Sequence, residues 1–518
     1  MSEILLQYKR PDPATWVYLS SFLTIGLYFV FHRFWSLRNV DIILLILLAP
    51  GLLMVHEGRR RRLIELEQAS AIVGDKELAN ARGTANETND GESDTGNEVA
   101  DVSDTTGRDS LAAVGSEPVQ SEGESKTAAE VADELAETQP PVLAAINPEE
   151  LMSSVEVERY GFVWLLGVQV LILFRLIVDP LMVRRPLLDP NLTTGGMLFL
   201  GAWLFIFMMA NVVTSTPRLQ IEQGPQLGPG YSLMNMLPAI PTRPTQEAIL
   251  GVDPTETVEP ARVYVILARV LAIAAHLGIV TGIIGIGFRH FNNPRAGVGC
   301  AMLYLLLPYT AQTTGRVDHA LPAALLVWAV FSYRRPYIAG FFLGAAAGLV
   351  YYPLFLLPLW LSFYWQRGVG RFAGGAVTAL VIMMAFLVVD GSEPLGKHLM
   401  RMFGLMMPPM KDLRGIWGLG WEPMYRLPIL VAFMILSGFL AVWPAQKNLG
   451  TLIGCSAAMM VGAQFWHAYG GGLYIAWFLP LLLLTIFRPN LEDRVALKVI
   501  DGGRAAAVPR PRVAVDAA

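Results

Sequence analysis

From Gly315 to Trp365 the chain reads GRVDHALPAALLVWAVFSYRRPYIAGFFLGAAAGLVYYPLFLLPLWLSFYW. Its charges sit at the start and in one basic turn, Tyr333-Arg334-Arg335-Pro336. Apolar segments of membrane length flank that turn, a span needing about 20 such residues. The second segment is glycine-rich, breaks at Val350-Tyr351-Tyr352-Pro353 and continues apolar, so that 337–365 reads as one broken helix or two. Small residues let helices approach closely. A backbone break at membrane depth survives only when buried in protein or lining a cavity. The stretch therefore predicts part of a multi-pass helical membrane protein, not a simple anchor.

Composition extends the conclusion to the whole chain. Of 518 residues, 53% are hydrophobic and 16% are charged, where a soluble domain carries about 25% charged residues. The net charge of −4 is dominated by one acidic tract and says little about partners. Cys300 and Cys455 both lie inside apolar runs. They read as small core residues, not as a disulfide framework or a metal cluster. No Walker loop, H-E-x-x-H or CxxC motif occurs. No cofactor, no metal and no nucleic-acid partner are expected. The N-terminus is polar up to Thr15, and no small-residue cleavage site follows the first apolar run, so no cleavable signal peptide is expected.

Apolar runs mark candidate spans near 16–32, 40–56, 161–178, 195–213, 263–288, 297–311, 319–333, 337–351, 353–365, 373–389, 427–443, 450–467 and 472–487. The predicted fold is all-α and polytopic, with about 11–13 transmembrane helices. Four regions follow: an N-terminal transmembrane hairpin over 1–63, an acidic linker over 64–150, the transmembrane core over 151–490, and a tail over 491–518. The linker is rich in Ala, Glu, Asp, Ser, Thr and Gly and has no aromatic residue. Such a segment buries too little apolar surface to offset its chain entropy, so disorder is predicted there, as in the tail.

Two long loops interrupt the core. Loop 214–261 is proline-rich and acidic. Loop 391–426 carries Leu399, Met402, Phe403 and Met406 at helical spacing, interleaved with Lys397, His398 and Arg401. That pattern predicts an interfacial helix at the headgroups. The turns at Arg289–Arg295, Arg334–Arg335, Arg367–Arg371 and Lys447 fall on one side, the cytoplasmic one by the positive-inside rule. Both long loops then face outward. Counting backwards also puts Arg59 to Arg62 and the acidic tract outside, against the rule. Either one N-terminal segment does not span, or the hairpin follows a different count.

The region from Arg262 to Trp365 resembles GT-C glycosyltransferases, most nearly the polyprenol-phosphate-sugar-dependent branch with GT87-type mannosyltransferases. The resemblance rests on Arg262 and Arg269 opening a long helix, the Phe288-Arg289-His290-Phe291-Asn292-Asn293-Pro294-Arg295-Ala296 turn, and Gly315-Arg316-Val317-Asp318-His319. The Arg-Arg turn, the glycine-rich helix and the break before Pro353 follow in order. Near the C-terminus, Trp466-His467-Ala468-Tyr469 and Tyr474-Ile475-Ala476-Trp477-Phe478-Leu479-Pro480 also look like that class. The chain departs from the pattern twice. The break holds Val350-Tyr351-Tyr352-Pro353 where the family often has a lysine, and span 195–213 is not followed by an acid until Glu222.

The resemblance implies transfer of a sugar from a polyprenyl-phosphate donor to an extracytoplasmic acceptor, with membrane lipid as the surroundings and a bacterial cytoplasmic membrane as the location. Such chemistry needs a carboxylate to take or orient the acceptor hydroxyl. It needs cations or hydroxyl donors on the phosphate leaving group, and aromatic faces for the sugar. Asp318, Asp253 and Glu222 are the candidate acids. Arg316, His319, Lys397, His398 and Arg401 are the candidate phosphate partners, with Tyr351 and Tyr352 as hydroxyl donors. Trp417, Trp421, Trp466 and Tyr469 are the candidate sugar platforms.

Blander readings stand beside each. Asp318 beside Arg316 makes a helix-start ion pair, the cations of loop 391–426 touch headgroups, and Trp417 and Trp421 belong to an aromatic belt. A non-catalytic or transport-type protein with the same helical architecture is the alternative function. A transporter predicts an internal repeat with paired broken helices, and only one break is evident.

Overall fold

The structure, a computed structural model, describes residues 13–89, 148–182, 188–215, 217, 234, 237–238, 240, 261–390, 396, 400, 413–445 and 447–489. These residues are all-helical, with one isolated bridge pair, Arg414 with Tyr469, and no strand. The helices are α1 (Pro13–Tyr28), α2 (Leu37–Asn89), α3 (Pro148–Val178), α4 (Thr194–Thr214), α5 (Arg262–Arg289), α6 (Pro294–Leu306) and α7 (Pro308–Gln312). They continue as α8 (Val317–Phe331), α9 (Pro336–Leu349), α10 (Leu357–Tyr364), α11 (Val369–Asp390), α12 (Arg426–Val442), α13 (Leu449–Trp466) and α14 (Leu479–Phe487). Among the described residues, six helices are long and apolar enough to cross a membrane: Leu37–Glu65, Met152–Leu181, Thr194–Thr214, Arg262–Arg289, Pro423–Val442 and Leu449–Trp466. The chain is a multi-pass integral membrane protein.

The chain divides into two compact units, one formed by Met1–Arg60 with Val155–Ala518 and the other by Arg61–Ser154. In the smaller unit α2 continues as helix to Asn89, where the sequence reading places a disordered linker from 64 onward. Glu65, Glu67, Gln68, Lys76, Glu77 and several alanines there are good helix formers, and propensity summed along such a run favours a helix. Residues 90–147 and 490–518, which hold the rest of the predicted linker and tail, lie outside the described residues.

Local signals explain the helix starts of the larger unit. Proline occupies the first turn of α6, α7 and α9, where a missing N–H costs nothing. Asn448 and Thr451 form a capping box at the start of α13, each side chain accepting the other's backbone N–H at 2.8 Å. The α13 helix is apolar all round, and 94% of its most apolar window is buried, so it sits in the centre of the bundle.

The glycine-rich helix α9 packs parallel to α11. A Cβ at Gly340 would stand 2.0 Å from the Phe372 carbonyl oxygen, and one at Gly344 would stand 2.5 Å from that of Ala376. The four-residue spacing of these glycines lays a smooth groove along one helix face. At Val350–Tyr351 the chain reverses. Residues 352–364 run back, and the Tyr364 hydroxyl donates to the Tyr333 carbonyl at 2.6 Å. The break thus joins two antiparallel segments, and the reading of 337–365 as one interrupted helix is corrected.

The bundle has two polar ends. At one, His56 Nε2 lies 2.9 Å from Gln312 Oε1, and Arg59 pairs with Glu158 at 2.7 Å. At the other, Arg38 reaches the Asp189 carbonyl, His290 reaches the Phe331 carbonyl at 2.7 Å, and Lys447 reaches Ser362 at 3.2 Å. Apart from the short α7, the segments from α1 onward alternate between these ends, so the turn of the N-terminal hairpin lies at the end that carries Arg38 and His290. Arg59 sits at the His56 end, where its charge is matched by buried Glu158.

Candidate functional site

The His56 end gathers a buried polar and aromatic cluster. Its charged element begins α8. Arg316 donates from Nε to Asp318 Oδ1 at 2.8 Å and from Nη2 to Asp318 Oδ2 at 2.7 Å. This parallel pairing is the strongest geometry an arginine and a carboxylate adopt. Both residues are buried, so the pair exists at a desolvation cost that its hydrogen bonds offset. His319 Nε2 lies 3.6 Å from Asp318 Oδ2. Its Nδ1 is buried and has no hydrogen-bond partner among the described residues.

From His319 a continuous stack of rings runs inward. His319 lies on Tyr474 with centroids 4.6 Å apart, and Tyr474 lies on Trp477 at 4.3 Å. Trp477 Nε1 donates to the Asp318 carbonyl at 3.1 Å, which fixes the stack to the ion pair. His467 sits 4.5 Å from Tyr474 and 5.0 Å from Tyr352, and Tyr352 stacks on Tyr351 at 4.3 Å. Trp466 closes the far side, 5.1 Å from Tyr352. Arg426, at the start of α12, caps the last turn of α13 by donating to the Trp466 carbonyl at 3.0 Å.

The loop 467–474 makes this possible because two glycines take left-handed backbone, Gly470 at φ +81° and Gly472 at φ +98°. The turn they form swings Tyr474 and Trp477 back over α8. It also pairs with the outer loop: Arg414 N donates to the Ala468 carbonyl at 2.9 Å, and Gly470 N donates to the Arg414 carbonyl at 3.2 Å. Burial pushes the His467 imidazole down to about 3, helped by the Arg426 charge and by His319, so the ring is neutral at physiological pH. Its Nδ1 accepts from the Tyr469 N–H at 3.1 Å.

The structure therefore brings Arg316, Asp318, His319, Tyr351, Tyr352 and Trp466 into one cluster. Tyr469 stands at its edge, 6.4 Å from His467. Trp417 and Trp421 meet edge-to-face at 6.2 Å on the neighbouring loop, Trp417 buried and Trp421 exposed. Glu222, Asp253, Lys397, His398 and Arg401 lie outside the described residues. Parts of their loops are described. Ile240 packs its carbonyl against Gly315, where a Cβ would come within 1.9 Å. Of the predicted interfacial helix, Gly396 and Met400 are described, and both are helical.

Sequence reasoning missed His467, Tyr474, Trp477 and Arg426 as members of the cluster. The signal for the first three was the spacing of Trp466-His467 from Tyr474 across a Gly-Gly-Gly turn, which predicts a tight reversal of an aromatic segment. Arg426 carried no such signal. Among the described residues no group of three or more metal-ligating side chains occurs. No protein-family model, no curated protein and no solved structure matches the chain.

Proposed function

We propose that the His56 end is the extracytoplasmic transfer site of an integral membrane glycosyltransferase that takes a sugar from a polyprenyl-phosphate donor, in the cytoplasmic membrane of a bacterium. The finer architecture proposed with it is a GT-C-like bundle of about 11–13 spans. The observation that carries the reading is the juxtaposition of a buried carboxylate and a histidine whose buried Nδ1 has no hydrogen-bond partner among the described residues with a wall of stacked aromatic rings. Aromatic faces suit a sugar ring, and an imidazole suits proton transfer.

In this reaction the acceptor hydroxyl oxygen attacks the anomeric carbon, and the bond from that carbon to the phosphate oxygen breaks. Polyprenyl phosphate leaves with the bonding electron pair. The acceptor's proton passes to His319 Nδ1, with Asp318 stabilising the imidazolium that forms. Glu222 and Asp253, in loop 214–261, are the rival proton acceptors. Lys397, His398, Arg401 and Arg426 supply positive charge for the leaving phosphate, and Tyr351 and Tyr352 supply hydroxyls.

One observation favours the non-catalytic alternative: Arg316 already engages both carboxylate oxygens of Asp318, as a helix-start ion pair does. The test uses the purified full-length protein in vesicles with polyprenyl-phosphate mannose and a lipid or glycan acceptor. Removing a true general base lowers transfer by about 10²–10⁴-fold. His319→Gln, Asp318→Asn, Glu222→Gln and Asp253→Asn are compared while folding is followed by thermal unfolding. Undiminished transfer in all four variants overturns the catalytic reading.

A further inference from the structure

At the opposite end of the bundle a cavity of about 940 Å³ opens between the α1–α2 turn and the 189–192 segment, and it includes Arg33, Arg38 and Arg295 in its wall. We propose that this cavity holds the phosphate diester of an anionic phospholipid headgroup from the leaflet at that end.

Three guanidinium groups and His32 face one carboxylate, Asp189, among the lining residues. The excess positive charge suits a phosphate, which guanidinium recognises with paired hydrogen bonds. Arg295 Nε lies 3.3 Å from Asp189 Oδ1, and its Nη2 donates to the Pro190 carbonyl at 2.8 Å. Arg38 donates to the Tyr28 carbonyl at 3.2 Å. Asp189 is the one carboxylate among the lining residues, and the carbonyls orient the guanidinium groups without adding a second negative charge.

The turn bearing Arg33 is wound around the side chain of Asn39, which is fully buried. Asn39 Nδ2 donates to the carbonyls of Val30 at 2.8 Å, Arg33 at 3.0 Å and Phe34 at 3.2 Å, and its Oδ1 accepts from the Val30 N–H at 3.0 Å. Across the cavity, Asn191 N donates to the Leu27 carbonyl at 2.8 Å, which ties the 189–192 segment to the end of α1. Both walls are thus fixed before any ligand arrives.

Phe31, Phe34 and Trp35 are exposed on the same turn, Trp35 to 85%. Aromatic rings exposed beside arginines belong at the headgroup level of a bilayer. The same end carries Arg289, Arg334, Arg335, Arg367 and Arg371, the basic turns that an anionic leaflet attracts. A soluble phosphate compound would need no aromatic rim; a lipid does.

The experiment places the full-length protein in nanodiscs of equal parts phosphatidylglycerol and phosphatidylcholine and reads retained lipid by native mass spectrometry. Phosphatidylglycerol should be retained in preference to phosphatidylcholine, and Arg33→Gln and Arg295→Gln should each weaken that preference about five-fold, a near-surface arginine contributing about that factor. Arg33 is exposed, so its variant leaves the fold intact if Arg295→Gln does not. Equal retention of the two lipids overturns the proposal, as does a preference unchanged in Arg33→Gln. Equal thermal stabilisation by millimolar inorganic phosphate in neutral detergent also overturns it, because the site would then bind free phosphate. The outcome is independent of sugar transfer at the other end.

Discussion

Arg175, near the end of α3, grips Asp41 on α2 with two parallel hydrogen bonds, Nε to Oδ1 at 2.8 Å and Nη2 to Oδ2 at 3.0 Å. The remaining arm donates to Asp179 Oδ1 at 2.8 Å, and Asp179 Oδ2 in turn accepts from Arg488 beyond α14. Two acids and two bases alternate in a buried chain that joins the N-terminal hairpin to the C-terminal end of the core. Each charge is matched, which is the condition under which ionisable groups persist at such depth.

Removing one member leaves its neighbours buried and uncompensated. Arg175→Met should destabilise the protein by about 3–5 kcal/mol, the usual cost of breaking a buried pair. The double variant Arg175→Met with Asp41→Leu should recover part of that loss. Thermal unfolding in detergent checks both, and a single variant as stable as the parent would remove the network from the account.

The parallel helices α9 and α11 depend on the absence of side chains at Gly340 and Gly344. In Gly344→Leu the new atoms would meet the backbone of Ala376, already 2.5 Å from an added Cβ. Overpacking of this kind costs about 1–3 kcal/mol. A comparable substitution at Gly374, where a Cβ meets nothing within 4 Å, should change stability far less. Denaturant titration of the two variants side by side tests the difference.

Buried His467 gives the fold an acid limb. Its folded pKa, about 3, lies below the roughly 6.5 of an unfolded histidine. Above 6.5 both states are neutral and the residue contributes no pH dependence. Between about 6.5 and about 3 the unfolded chain binds a proton that the folded chain refuses, so stability falls as pH falls, by up to about 1.4 kcal/mol per pH unit. His290, lowered to about 4 by burial and by its arginine neighbours, adds a similar slope above pH 4. His467→Phe keeps a ring in the stack and should make the limb between pH 4 and 6 shallower by the share of one histidine, the His290 slope remaining. An unchanged slope would assign the acid sensitivity elsewhere.

The alternation of segments predicts sidedness. With Cys300 and Cys455 buried, introduced thiols report alone. A cysteine at exposed Phe34 should react only with reagent on one side of sealed vesicles, and one at exposed Glu422 only with reagent on the other. Labelling of both from the same side contradicts the two-ended bundle.

The sequence by itself determined the class of this protein. Spans of apolar residues near 195–213, 263–288 and 450–467 are long enough that only helices satisfy their backbone in lipid, and they reappear as α4, α5 and α13. It also marked Arg316, Asp318 and His319 as an unusual start to a span, because charge beside an apolar run stands out in any order of reading. It could not say that Tyr351 ends one segment and begins its antiparallel return, since a broken helix and a hairpin share one hydropathy profile. Nor could it join His319 to Tyr474 or Asp41 to Arg175, pairs separated by well over a hundred residues. Their meeting depends on how α2, α3, α8 and the turn after α13 pack. That packing follows from side-chain shape and buried charge balance across many helices, quantities that a linear pattern of apolar residues does not contain.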